Sequence, residues 1–245
     1  MILFHNILLL LKMPTTVWRN LVDMAQPAAA LSLSSLLEDS IMDLRILSVR
    51  IQVGSTSRQS SAGMGVDILL AALGQGALAR PPAHFRLFFQ LESSGNRAQS
   101  IEINSTLEGA PPELARQKKT VLRITYRNYP SSNGAEVSAG RMIDYVSADI
   151  PIQSSPHNPA LVGSLIHLLL HRGRHRYKLH AASGSGCRHF CATVLRDCCD
   201  AGWLHRSYLN VVEDMTNYLR AQPVWQHVDL PFPAPLGEFY PWPNN

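Results

Sequence analysis

Cys187 is the residue in this chain best placed to do chemistry. It follows the flexible turn Gly184-Ser185-Gly186 and opens a stretch with helical periodicity, Cys187 to Asp200. The unpaired N–H groups and partial positive charge of a helix N-terminus favour a thiolate over a thiol. A cysteine so placed is a candidate nucleophile. Attack on a carbonyl carbon would give a thioester, with the oxyanion held by backbone N–H groups of the turn and helix start, at Ser185, Gly186 and Arg188. Such a nucleophile needs a base and a third group to orient that base. Of ten histidines, His84 is the best candidate base, because it opens a strongly patterned strand just after Pro81-Pro82. Glu92, Glu102 and Asn104, on or just past neighbouring strands, are the candidates for the orienting group. Asn104 completes the expected set Cys187, His84 and Asn104. His189, two residues past the cysteine, points to a different helix face.

The elements that must position these residues are legible from periodicity. Leu44 to Val53, Ala83 to Leu91, Ser100 to Asn104 and Thr120 to Arg127 alternate as strands, with a shorter candidate at Met142 to Val146. Phe85, Leu87, Phe89 and Leu91 form one face of the second of these. The pattern then changes. Pro159 to His171 reads as a helix with Asn158 as N-cap and Gly173 near its end. Arg176 to Leu179 is a short strand entering the Ser/Gly turn. The cysteine helix closes at Gly202, and a third helix covers 208–220. Val66 to Leu78 suggests a short helix ending near Gly74.

A strand beginning His84-Phe85-x-Leu87, a second strand, and much later a cysteine opening a helix resembles the circularly permuted papain-like hydrolases. That group includes lecithin–retinol acyltransferase and the bacterial NlpC-type enzymes. The order is the permuted one, with the histidine strand ahead of the cysteine helix. The segment Gly184-Ser185-Gly186-Cys187-Arg188 is also similar to a pattern in an uncharacterised family of filamentous-fungal proteins. The resemblance covers residues 44–54, 83–104 and 160–205. It implies an α+β fold, an antiparallel sheet packed against the cysteine helix and further helices. It also implies a cysteine-dependent hydrolase or acyltransferase acting on an amide, ester or thioester. The alternative is a non-catalytic binding or accessory protein of the same fold, with a role in fungal specialised metabolism conceivable.

Composition sets the remaining bounds. Hydrophobic residues make up 46% of the 245 and charged residues 16%, a globular balance. The charge of +4 comes from dispersed basic residues, apart from the run Arg172, Arg174, His175, Arg176 and Lys178. Without a basic stripe interleaved with aromatics, nucleic acid is not the expected partner; a small-molecule or acyl substrate is. The basic run is a solvated loop or a seat for an anionic substrate group. Four cysteines within one predicted helix fit neither a disulfide framework nor a zinc site of close pairs. No Gly-rich phosphate loop or dinucleotide fingerprint is present, so no cofactor and no metal are expected. The reading is a reduced, cytoplasmic protein. Ile2 to Leu11 is apolar but too short to span a bilayer, leaving a peripheral anchor as the membrane alternative. The expected organisation is a peripheral segment 1–40, a single α+β domain 41–222 and a Pro/aromatic strap 223–245.

Overall fold

The computed structural model describes residues 31–33, 39–56, 82–92, 97–130, 142–181, 183 and 185–241. In chain order the elements are β1 (Leu31–Leu33), α1 (Asp39–Met42), β2 (Ile46–Thr56), β3 (Ala83–Leu91), β4 (Arg97–Thr106), α2 (Pro112–Arg116) and β5 (Val121–Pro130). They continue with β6 (Met142–Pro151), α3 (Val162–His171), β7 (Tyr177–Lys178), α4 (Cys187–Asp200), α5 (Val211–Ala221) and β8 (Glu238–Phe239). The main sheet runs β1-β5-β4-β3-β2-β6. Five of its strands are antiparallel neighbours, and β1 joins the edge parallel to β5, with Leu31 opposite Leu122. The class is α+β, as the alternation and later helical periodicity implied. The possible helix at 66–78 and the apolar segment 2–11 lie outside the described residues.

Period-two patterning builds one apolar face. Phe85, Leu87, Phe89 and Leu91 of β3 lie beside Val49, Ile51 and Val53 of β2 and Ile101 and Ile103 of β4, all buried in one core. The helices cover this face. Val162, Leu165, Ile166 and Leu169 form the buried stripe of α3, at the spacing that keeps one helix face toward a core. Phe190, Cys191, Val194, Leu195 and Cys198 do the same for α4, which lies against β3 and β4. Three of the four thiols, Cys191, Cys198 and Cys199, are buried packing groups and all four are free.

The α3 start departs from expectation. The helix begins at Val162 with Leu161 as its uncapped N-cap. Asn158 instead donates through Nδ2 to Ala201 O (2.8 Å) and accepts from Trp203 Nε1 (3.3 Å). Its amide ties the approach to α3 onto the end of α4. The helix ends match the reading: Gly173 and Gly202 take φ of +68° and +75° just past α3 and α4.

Past α5, the chain from Gln222 returns across the molecule as an irregular strap. Trp225 and Val228 bury their side chains in the core. Ala83 N–H donates to Asp229 O (3.1 Å), so the strap runs along the start of β3. Its last described part forms β8, antiparallel to β7, with Tyr177 opposite Phe239. No helix among the described residues is long and apolar enough to cross a membrane.

Candidate functional site

The start of α4 is held by packing rather than by a capping side chain. Gly186 is the N-cap, with φ of +154° and no side-chain cap bond. A Cβ there would sit 2.9 Å from Tyr177 Oη. Tyr177 is fully buried, and its hydroxyl donates to Gly186 O (2.8 Å). The same oxygen lies 3.1 Å from His189 Nδ1 and accepts from the N–H of Gly237 on the strap. One phenol therefore joins β7, the turn before Cys187 and the strap. Burial raises its pKa, so at neutral pH it stays a hydrogen-bond donor.

Cys187 is partly buried, and its Sγ donates to Ala83 O (3.8 Å) at the edge of β3. That edge is available because β3 and β4 pair only from Leu87 to Gln90. The thiol and Asp229 of the strap occupy the backbone groups that β4 leaves. The backbone N–H groups of Phe85, Arg188 and Gly186, and the Arg188 guanidinium, all favour the thiolate, yet burial outweighs them and pushes the thiol up. This corrects the expectation drawn from the helix start alone, because the helix N-terminus is closed over by β3 and the strap. In this structure Cys187 is a thiol at neutral pH.

His84 is the residue between the two whose backbones touch the sulfur. Its ring is packed among protein atoms with part of its surface exposed. Burial and the nearby Arg86 pull it down to about 4, so it is neutral at pH 7. Glu102 and the Asn104 carboxamide act the other way. Asn104 thus lies at the imidazole, although its buried Oδ1 makes no well-directed hydrogen bond. Of the three possible orienting groups, Glu92 is exposed just past β3. Glu102 is committed elsewhere, binding Arg86 Nη1 (3.2 Å) through Oε1 and Arg127 Nε (2.9 Å) through Oε2. Only Asn104 is left to serve His84.

His84 and Asn104 therefore lie together, while Cys187 touches the backbone on either side of His84 without a hydrogen bond to its ring. Strand alternation explains this. Phe85 faces α4, with the Arg188 guanidinium 5.9 Å from its ring centroid, so His84 leaves the strand toward the opposite side. Bringing the pair together requires the ring to turn toward the β3 edge where the sulfur sits.

The remaining expected residues hold the turn. Ser185 Oγ meets Ser183 Oγ (2.6 Å), which meets His180 Nδ1 (2.9 Å). Arg188 is buried and donates to Pro231 O (2.5 Å). Sequence reasoning missed Tyr177, whose burial is set by packing, and Asp229, Pro231 and Gly237, which lie far from Cys187 in the chain. The one available signal was Gly186 itself, since a glycine before a helix start implies close backbone approach. Among the described residues no cluster of three or more His, Cys, Asp or Glu side chains is disposed to hold a metal ion.

No curated protein and no solved structure matches the chain. The profile of a family described as a domain of unknown function (DUF7770) matches residues 73–240, a span holding β3 through β8, Cys187, His84 and Asn104. The match covers more than half of the chain, and the protein is a member of that family.

Proposed function

We propose that this domain is a permuted papain-like thiol acyl-transfer module, a hydrolase or acyltransferase acting on an amide, ester or thioester. The observation that carries the reading is the seat of Cys187 Sγ on Ala83, with His84 next in the chain and Asn104 at the imidazole. A neutral imidazole and a protonated thiol make His84 a general base rather than half of a preformed ion pair. With its ring turned toward the β3 edge, His84 takes the thiol proton as sulfur attacks the carbonyl carbon. The oxyanion rests on backbone N–H groups at the α4 start, near Gly186 and Arg188. Collapse breaks the bond to the leaving group, which departs with the proton from the imidazolium. Water or an acceptor then cleaves the Cys187 thioester. Asn104 keeps the ring oriented and does not exchange a proton.

One observation favours a non-catalytic binding or accessory role instead: the thiol is raised in pKa and donates to a backbone carbonyl, as an inert packing group would. One experiment separates the two. The protein is incubated with p-nitrophenyl acetate and with an acetyl thioester, and the intact mass and adduct position are read by mass spectrometry. Acylation confined to Cys187, and slowed about 100-fold or more in His84→Ala, supports catalysis; Asn104→Ala should slow it less. Adducts spread over several nucleophiles, or a rate indifferent to His84, leaves the packing role.

A further inference from the structure

The surface behind Tyr177 is basic in a way the fold does not require. Thr120 N–H donates to Tyr177 O and Leu179 N–H to Lys118 O, both at 2.9 Å, so residues 118–120 add a third strand segment to β7 and β8. Lys119 lies directly opposite Lys178 as an antiparallel bridge. Directly opposed residues share a face, and like charges so placed are destabilising. Lys178 lies in turn opposite Glu238, and Tyr240 N–H donates to Arg176 O (3.1 Å). Tyr177 and Phe239 point to the buried side, so alternation puts Arg176, Lys178, Glu238 and Tyr240 together on the outer side. Lys119 Nζ confirms the geometry, standing 5.0 Å from the Tyr240 ring centroid. Burial raises the pKa of the Tyr240 hydroxyl and Arg176 opposes that rise, so the guanidinium lies near the same ring. Three cations thus share the face with one acid, and no ion pair within the described residues holds Lys119 or Lys178.

This face is the outer side of the short strand whose inner side supports the turn before Cys187. The Tyr177 hydroxyl, on the other side of the same short strand, binds the carbonyl of the residue before Cys187. Lys118 Nζ binds Ala181 O in the turn that leads there. We infer that Lys119, Arg176 and Lys178 bind the phosphate group of a phosphorylated thiol carrier whose acyl thioester reaches Cys187. The inference rests on the acyl-transfer reading and names its donor. In the transfer, Cys187 sulfur replaces the carrier sulfur on the acyl carbon, and the carrier leaves as a free thiol with the proton His84 had taken. A phosphate seated between the two lysines also relieves their mutual repulsion.

The test separates binding from catalysis by using the full chain as Cys187→Ala, which cannot be acylated there. Coenzyme A and inorganic pyrophosphate are titrated by calorimetry, against Cys187→Ala and against the same chain carrying Lys119→Glu and Lys178→Glu. Both lysines are half-buried, and circular dichroism checks that the fold is kept. The expected result is coenzyme A binding that weakens with added salt and falls about ten-fold or more for each reversed lysine. Pyrophosphate should bind more weakly and be displaced by coenzyme A. Absence of coenzyme A binding, or binding indifferent to both reversals, overturns the inference. Affinity for pyrophosphate equal to that for coenzyme A overturns the carrier assignment. None of these results depends on Cys187 being catalytic, so the acyl-transfer reading stands or falls separately on its own acylation assay.

Discussion

At the scale of single residues, the charge states are set by burial more than by partners. His84 and the buried His175 are both pulled down to about 4, in each case chiefly by burial and then by a neighbouring arginine. Both are neutral in the folded protein near pH 7. In the unfolded chain they take up protons near pH 6.5. Between about 6.5 and 4 the unfolded state therefore binds more protons, and stability falls as pH falls. Urea unfolding at pH 7.5, 6 and 5 should show a declining midpoint. His84→Gln, which cannot titrate, should flatten that decline by no more than about 1 kcal/mol per pH unit, the partial exposure of the ring reducing the full effect. An unchanged slope in the variant would mean that the ring is protonated in the native protein. The same balance governs Cys187, where three N–H groups and a guanidinium lose to desolvation.

At the scale of elements, the start of α4 depends on two glycines and a phenol. A Cβ on Gly237 would run into Tyr177 Oη and Cζ and lie 2.6 Å from Lys178 O, so β8 cannot keep its place. Gly237→Ala and Gly186→Ala should each cost about 1–3 kcal/mol in chemical unfolding. Tyr177→Phe should cost about 1 kcal/mol alone, and combined with Gly186→Ala less than the sum, since it removes the atom the new methyl meets. Strict additivity would show that the contact is not what fixes Gly186. The elements themselves were legible because alternation and helical spacing are local: β3 and α4 have the limits expected from their residues. Asn158 shows where local reasoning stops. Its side chain satisfies a cap preference on paper, but Trp203 and Ala201 compete for it and win. The thiol's raised pKa was not legible, because it comes from contact with β3 far back in the chain, and the Tyr177 hub was not, because nothing in the sequence marks that phenol as buried. Asn104 was legible as one of three candidates, and only the two arginines on Glu102 separated it from its neighbour.

At the scale of the whole molecule, one buried ion pair joins the helical layer to the strap. Arg174 Nε and Nη2 hold both carboxylate oxygens of Asp197 at 2.5 and 2.8 Å. The Arg174 guanidinium also lies 4.6 Å from the Phe239 ring centroid. Arg174 follows α3, Asp197 is on α4 and Phe239 on β8, so three separate parts of the chain meet at one guanidinium. Asp197→Ala should cost about 3–5 kcal/mol in urea unfolding, because it strands a buried cation. Arg174→Met with Asp197→Leu should recover much of that, and failure to do so would mean that the charges are needed for the fold. The strap has a further consequence in the order of synthesis. Asp229, Pro231 and Gly237 all leave the ribosome after the helix whose start they enclose. A nascent chain thus has β3 and the cysteine helix in hand before Pro231 O can meet Arg188 or Gly237 can meet Tyr177. The strap therefore fastens the helix start last, after the contact between Cys187 and Ala83 can already have formed.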